Sequence, residues 1–600
     1  MLAILLSSCG NPSSTDAVNA ANQTTAIQIS PSSLDPGDRV TFTGPIPGAT
    51  EIRVCEKPLT NLVFRRGSGD TTTWSLAENT RANETFTAAR GLLAGDLTPG
   101  ASCNVVITQD GRPITDLQIP KLVLNPSVPA KVNSVVVTDG FQKSTIGFDP
   151  PAAHGTPLTD YEIQLQPSGT WVPLGTTALP LDVTNLENGR VYFARIRAIN
   201  ILGAGPASDL VRLTPYGPTV AAGQNHTLAT TTSGILWGWG GQLYGILGDG
   251  ASDGTTSEPS TDTQTVASAV PTFTRLVTRG TMSFGLDTQG NAWAWGNAYE
   301  GRLGVDPTSD TTRPLKIQFN DLPETKTIVD IASGNAHGLA VDSGGGVWGW
   351  GLTSFYQLAQ PGVSVSTPTP IAIPGLADGA MIVDVTASNE TSFALDSNGH
   401  VWAWGNVGTN LFAGTSSSVE QTPIQLDVTD ASGPVRSIDA GLGHVLAIDA
   451  DGHVWGWGDN THDQLARAPG SATVPAQKVN FGDGNATTAG APEGRTVVKV
   501  AAGGSHSVVL DSEGDVWTAG NNTSGQRGTS STGMFFTRVD LQSTSLVGTV
   551  ADIAAGPAHT VVIDAAGNAV AWGDNRSAQL GMGTISYSNT NQPQNVEDPF

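Results

Sequence analysis

Five of the nine histidines share one context: His226, His337, His444, His506 and His559 each stand three residues after a glycine. Imidazoles ligate metals, shuttle protons and switch charge near neutral pH. A metal site requires its ligands to converge to about 2.0–2.1 Å from one ion. These five are spread one per repeat of a long array, so they do not converge. Their pattern predicts buried histidines that hydrogen-bond between strands or between repeats.

Other reactive patterns are sparse. The loop Gly248-Asp249-Gly250-Ala251-Ser252-Asp253-Gly254 matches neither a full EF-hand loop nor a P-loop, which needs Gly-Lys-Ser/Thr, and reads as a solvated loop. There is no Gly-x-Ser-x-Gly, no His-Glu-x-x-His and no Cys/His nucleophile pairing. The expectation is a protein that is not an enzyme, with no catalytic residues, no metal and no cofactor. Three cysteines remain. Cys55 and Cys103 are the only two between residues 25 and 124 and could bridge two sheets there, though sequence alone does not fix the pairing.

The histidines belong to a phrase that recurs seven times: small-small-Gly-x-x-His, five residues to Asp, three more to Gly, then Trp-x-Trp-Gly. Its first Trp column reads Trp237, Trp293, Trp348, Trp402, Trp455, Trp517 and Val570, at intervals of 56, 55, 54, 53, 62 and 53 residues. Two copies depart from it: the second has Arg279 and Met282 at the Gly and His columns, and the fourth has Ser388 and Thr391. A period of this length marks a radial or solenoid array.

Within a copy the pattern is β. Val509 to Trp517 reads as strand, turn, strand, with Asp511 first and Gly514 fourth in a type I turn. The same Asp-x-x-Gly recurs at Asp287, Asp342, Asp396, Asp449 and Asp564. Period-2 geometry puts both indoles of Trp455-Gly456-Trp457-Gly458 on one face and both glycines on the other, so stacked sheets pair a large face with a small one. Twelve of the fourteen Trp lie in these two columns, which makes them packing units.

This phrase resembles the repeat of the regulator-of-chromosome-condensation family, which implies a seven-bladed β-propeller over residues 216–600. Asn522–Gly528 and Asp574–Gly581 fit the same family pattern. Residues 127–215 resemble a fibronectin type III domain, through the run Leu186 to Asn200 followed by Gly203-Ala204-Gly205 and Ser208. That likeness makes Tyr192 a corner tyrosine, with its hydroxyl tied to upstream backbone. Phe148 stands where that family usually has Trp. Residues 25–124, with Pro/Gly punctuation and alternating strands, suggest another β-sandwich, Ig-like in type. The fold expected is all-β: a seven-bladed propeller preceded by two sandwiches.

Residues 1–9 end in Leu6-Ser7-Ser8-Cys9, which resembles a bacterial lipobox, and residues 10–24 form a polar, flexible tether. Lipid on Cys9 implies export and anchoring at the outer membrane or cell surface of a bacterium, with a true start upstream of Met1. No other segment approaches the ~18 apolar residues of a membrane span.

Residues 217–600 hold 35 Asp/Glu and 14 Lys/Arg, a net charge of −21 out of −24 for the chain. Such a surface repels phosphate backbones and disfavours nucleic acid as a partner. One set of turns varies where the rest repeats, between Trp-x-Trp-Gly and the Gln-Leu column. It would place Tyr244, Tyr299, Glu300, Phe355, Tyr356, His462 and Asp463 on one rim, a mixture of aromatics and acids suited to a protein partner. The expectation is a monomeric, non-enzymatic protein-binding propeller on a sandwich stalk, touching the membrane only through its lipid. Family likeness offers two alternatives: guanine-nucleotide exchange on a small GTPase, and inhibition of an enzyme by a propeller face.

Overall fold

A computed structural model describes residues 127–597, apart from 155, 167–170, 185, 233, 253, 261–270, 306–308, 407–410, 412–418, 429–432, 468–472, 483–486, 532–533 and 584–588. Before these only short strands are described, among them Gln28–Ser30, Glu51–Val54, Ser102–Cys103, Val105–Gln109 and Leu122–Leu124; Cys9, the tether and Cys55, and with it the Cys55/Cys103 pairing, lie outside the described residues. Those that are described are almost wholly β, and no helix among them is long and apolar enough to cross a membrane.

From Val220 onward, seven four-stranded antiparallel sheets follow one another among the described residues, each a meander in chain order. The first strands are Val220–Ala222, Phe273–Arg279, Ile328–Ser333, Ile382–Ala387, Val435–Ala440, Val497–Ala502 and Val550–Ala555. They line a central channel. The first sheet meets the seventh: Val220 donates its amide to Asp552 (3.0 Å), and Val220 and Val596 share one apolar cluster.

The Asp-x-x-Gly turns form as their residue types dictate. Gly345 donates its amide to the Asp342 carbonyl (2.8 Å), while Asp342 Oδ1 accepts from Gly344 and Gly346. The other oxygen, Oδ2, takes the indole N–H of Trp348 at 3.1 Å. The first Trp column thus fastens its own hairpin.

The second Trp column fastens neighbouring sheets. Trp239, Trp295, Trp350, Trp404, Trp457 and Trp572 are fully buried. Each donates to a carbonyl of the preceding sheet, as Trp404 does to Gln357 (2.8 Å) and Trp239 to Gln579 across the closure (3.0 Å). The glycine after it is obligatory: Gly405 has φ +104°, and a Cβ there would meet the Glu390 carbonyl at 2.5 Å.

Residues 127–215 form a three-stranded and a five-stranded sheet around one core that includes Ile146, Tyr161, Ile163 and Ile196. Tyr192 Oη accepts the Glu187 amide at 2.9 Å, the corner bond expected of that position. Phe148 packs edge-on against Tyr161, with ring centroids 5.1 Å apart. Val191 and Phe193 of this unit are buried in an apolar cluster with Val329, Ile382 and Trp402, so the two units share an interface.

Candidate functional site

The five histidines link the ring. His226 Nε2 meets Thr278 Oγ1 at 2.8 Å, His337 meets Ser392 at 3.0 Å, His444 meets Ser507 at 2.9 Å, His506 meets Thr560 at 3.0 Å and His559 meets Thr227 at 3.1 Å. Every bond crosses to the next sheet. Each hydroxyl donates onward to a carbonyl, as Thr560 does to Gln526 (2.8 Å), so Nε2 must carry the proton that the hydroxyl accepts. Nδ1 of all five is buried without a partner. A proton there would be desolvated and unpaired, and burial therefore pulls these groups down to about 3 for His226, His337 and His506 and about 4 for His444 and His559.

The imidazoles also explain the glycine three residues earlier. A Cβ on Gly223 or Gly334 would lie 2.1 Å from the ring of His226 or His337. Where the histidine is replaced, by Met282 and Thr391, the glycine is replaced as well, by Arg279 and Ser388.

The channel interior is densely charged, with Glu187, Arg190, Arg275, Asp384, Lys499 and Asp552 in its lining. Each first strand from the second to the seventh sheet shifts register near its start, and the residue after the shift is Arg275, Asp330, Asp384, Ser437, Lys499 or Asp552. Such bulges re-aim a side chain; Arg275, Asp384, Ser437, Lys499 and Asp552 line the channel, and Asp330 pairs with Arg275 at its wall.

The 127–215 unit closes one mouth with residues 187–190. Arg190 pairs with Asp384 (2.9 Å) and donates to the Arg436 carbonyl (2.6 Å). Lys499 bridges Glu187 (3.1 Å) and Asp552 (2.5 Å), and Arg275 pairs with Asp330 (3.0 Å). Gly189, at φ +75°, passes so close to the second sheet that a Cβ would lie 2.1 Å from the Thr274 carbonyl.

Burial pushes the Glu187 carboxyl up, but Lys499, Arg190 and Arg275 outweigh it and hold it at about 2. Burial likewise lowers Arg190, and Asp384, Tyr192 and Glu187 more than restore it. Asp384 is raised, by burial and then by the neighbouring Asp330 carboxylate, despite its contact with Arg190. These two shifts pull opposite ways, since Arg190 gains most from an ionised Asp384. Burial decides it, with the crowding of Asp330 adding to it, and Asp384 is held above the usual carboxylate range.

The other mouth is open. Turns after the first strands and turns after the third strands meet there, with Gly241 donating to Asn225 (2.8 Å) and Leu352 to Ala336 (2.8 Å). This face carries the variable turns. Tyr299 is 68% exposed, with the Arg302 guanidinium 5.6 Å from its ring centroid and Glu300 paired to that Arg at 3.1 Å. Phe355 and His462 are exposed, whereas Tyr356, Asp463 and Glu300 are half-buried at positive φ. Tyr244 packs partly into the cluster between the first two sheets, and Leu243 beside it is the exposed apolar residue. The variable turns thus surround the mouth opposite the 127–215 unit.

The regulator of chromosome condensation (RCC1) repeat is matched at residues 219–246, 328–357, 382–410, 435–464, 497–526 and 550–579, and in a second, longer form at 289–341, 344–395 and 451–510. Human E3 ubiquitin-protein ligase HERC2 is 29% identical over 363 residues, covering 60% of this chain and 7% of HERC2. The mitochondrial RCC1 domain-containing protein RUG3 of Arabidopsis thaliana is 27% identical over 314 residues, covering 50% of this chain and 66% of RUG3. The chain therefore spans less than two thirds of either relative. Prp20p of Saccharomyces cerevisiae, whose structure was described with its binding to Gsp1p and histones, superposes with a TM-score of 0.51 at 21% identity, covering 60% of this chain and 85% of Prp20p. The chain carries RCC1 repeats, and these matches support the RCC1-repeat propeller family.

Proposed function

We propose that this RCC1-repeat chain is a non-enzymatic, protein-binding, seven-bladed propeller that presents one face to a partner while its own fibronectin-like sandwich occupies the other. One observation carries the reading: the 187–190 segment fills the mouth on one side, so the variable turns opposite are the recognition surface left free. Tyr299, Phe355 and Leu243 are its exposed anchors, and aromatic anchors among polar neighbours are what protein interfaces use. Relatives that bind proteins, as Prp20p does Gsp1p and histones, support the same class of partner.

We place the protein outside the cytoplasm, held by lipid on Cys9 with residues 10–24 as tether, the 25–124 region as a second sandwich, and a Cys55–Cys103 bridge within it. A surface so tethered favours binding over nucleotide exchange on a cytoplasmic GTPase. The test is capture from the native source with the full chain and with a Tyr299→Ala/Phe355→Ala variant. A partner held by the native chain and lost by the equally folded variant supports the reading. A partner held equally by both removes it. Cys9→Ser should abolish lipid labelling, and unchanged labelling would refute the anchor.

A further inference from the structure

The second repeat breaks the Gly–His pairing, and the break lies at the open mouth. With Met282 in place of a histidine, the position three residues earlier admits a side chain, and it holds Arg279. This arginine reaches from the second sheet across the channel to the fifth, where it donates to the Ala440 carbonyl. It stands between two spaces: the inner chamber bounded by the 187–190 plug, and an outer cavity of about 210 Å³.

The outer cavity differs from the surface around it. The surrounding domain carries a net charge of −21, yet no Asp or Glu lines this cavity. Arg279 is the only charged residue in its wall, and Gln224, Asn335 and Asn389 add exposed amide side chains. Asp439, the one carboxylate that acts appreciably on Arg279, lines the inner chamber and not the mouth. Among the described residues Arg279 forms no ion pair, and its one side-chain hydrogen bond is to Ala440. A guanidinium has five N–H donors in a fork that suits a carboxylate.

We propose that the open mouth is a carboxylate-binding site, in which Arg279 grips an acidic group of the partner and Gln224, Asn335 and Asn389 donate to its free oxygen. The site rests on the protein-binding reading above and names the chemistry of the group recognised. Carboxylate on a partner comes from an Asp/Glu side chain or from a chain terminus, and both fit the cavity.

The test uses the full chain and defined probes in calorimetric titration: acetyl-Gly-Asp-Gly-amide, acetyl-Gly-Gly-Gly with a free terminus, and acetyl-Gly-Asn-Gly-amide as neutral control. One or both acidic probes should bind saturably and the Asn probe should not, and which acid binds identifies the source. Arg279→Met should weaken binding by about tenfold or more, the least that a charge-assisted bond contributes, and Arg279→Lys should retain part of it. Arg279→Gly, which installs the residue five other repeats use, replaces the Met variant if that one fails to fold. Absence of binding by both acids, or binding unchanged by loss of Arg279, overturns the site. Partner capture that persists while both acids fail refutes this site and leaves the protein-binding reading standing. Acid binding that needs Arg279, without any captured partner, does the reverse.

Discussion

Replacing His506 with Gln should make the stability of the ring less sensitive to acid, by an amount the structure sets. His506 is buried, donates from Nε2 to Thr560 at 3.0 Å, and leaves Nδ1 without a partner. Its folded value of about 3 lies below the ordinary 6.5, so folding favours the neutral ring. The stability it supports is present above pH 6.5 and is lost as pH falls towards 3. Below 6.5 the loss is about 1.4 kcal/mol per pH unit for one such group, or about 2 kcal/mol by pH 5.

Gln keeps a donor near Thr560 and does not titrate. At pH 7.5 the variant should be less stable, through altered packing and hydrogen bonding, by about 1–3 kcal/mol. By pH 5 the difference between variant and native protein should shrink by about 2 kcal/mol or reverse. The raised carboxyls Asp384, Asp439 and Asp552 act in the opposite sense, adding stability below their ordinary range and losing it as pH rises through their folded values. They are common to both proteins and cancel in the difference. Urea unfolding followed by Trp fluorescence from pH 7.5 to 5 measures it. A stability difference that stays constant with pH would refute the assignment of a buried, neutral, Nδ1-unpaired imidazole.

Trp404→Ala removes a fully buried indole and its bond to Gln357, and should cost about 3–5 kcal/mol in the same melts. Tyr299→Ala, on the open face, should stay within about 0.5 kcal/mol; comparable losses would show that core and rim are misassigned. Gly189→Ala places a Cβ against the Thr274 carbonyl and should loosen the 127–215 unit, so limited proteolysis should cut between the two units faster than in the native chain; an unchanged pattern contradicts the plug. Cys55 and Cys103 should be oxidised in exported protein, and two free thiols by non-reducing mass spectrometry would exclude the bridge.

The repeating features were readable because a repeat tests itself. Alignment of the copies brought out the histidines, the Asp-x-x-Gly turns and both Trp columns, and the structure adds what spacing cannot hold: the first Trp binds its own hairpin, the second binds the neighbour. The Tyr192 corner was readable from its local run. The channel chemistry was not, because its column reads Arg275, Asp330, Asp384, Ser437, Lys499 and Asp552, mixed in charge where a consensus looks for sameness. Its closure depends on Glu187 and Arg190, which come from another unit and have no repeat partner. Arg279 was visible only as a defect in the second copy; the signal that could have found it is the paired loss of Gly and His.

Site-specific photo-crosslinking in the native source tests the central claim most directly, that the face opposite the sandwich receives a protein. A benzophenone side chain at Tyr299 or Phe355 samples the open face, and one at Glu513, on an Asp-x-x-Gly turn, samples the other. The account predicts a discrete crosslinked protein from Tyr299 and Phe355 and none from Glu513. Crosslinks from Glu513 alone, or none from any position, would contradict it.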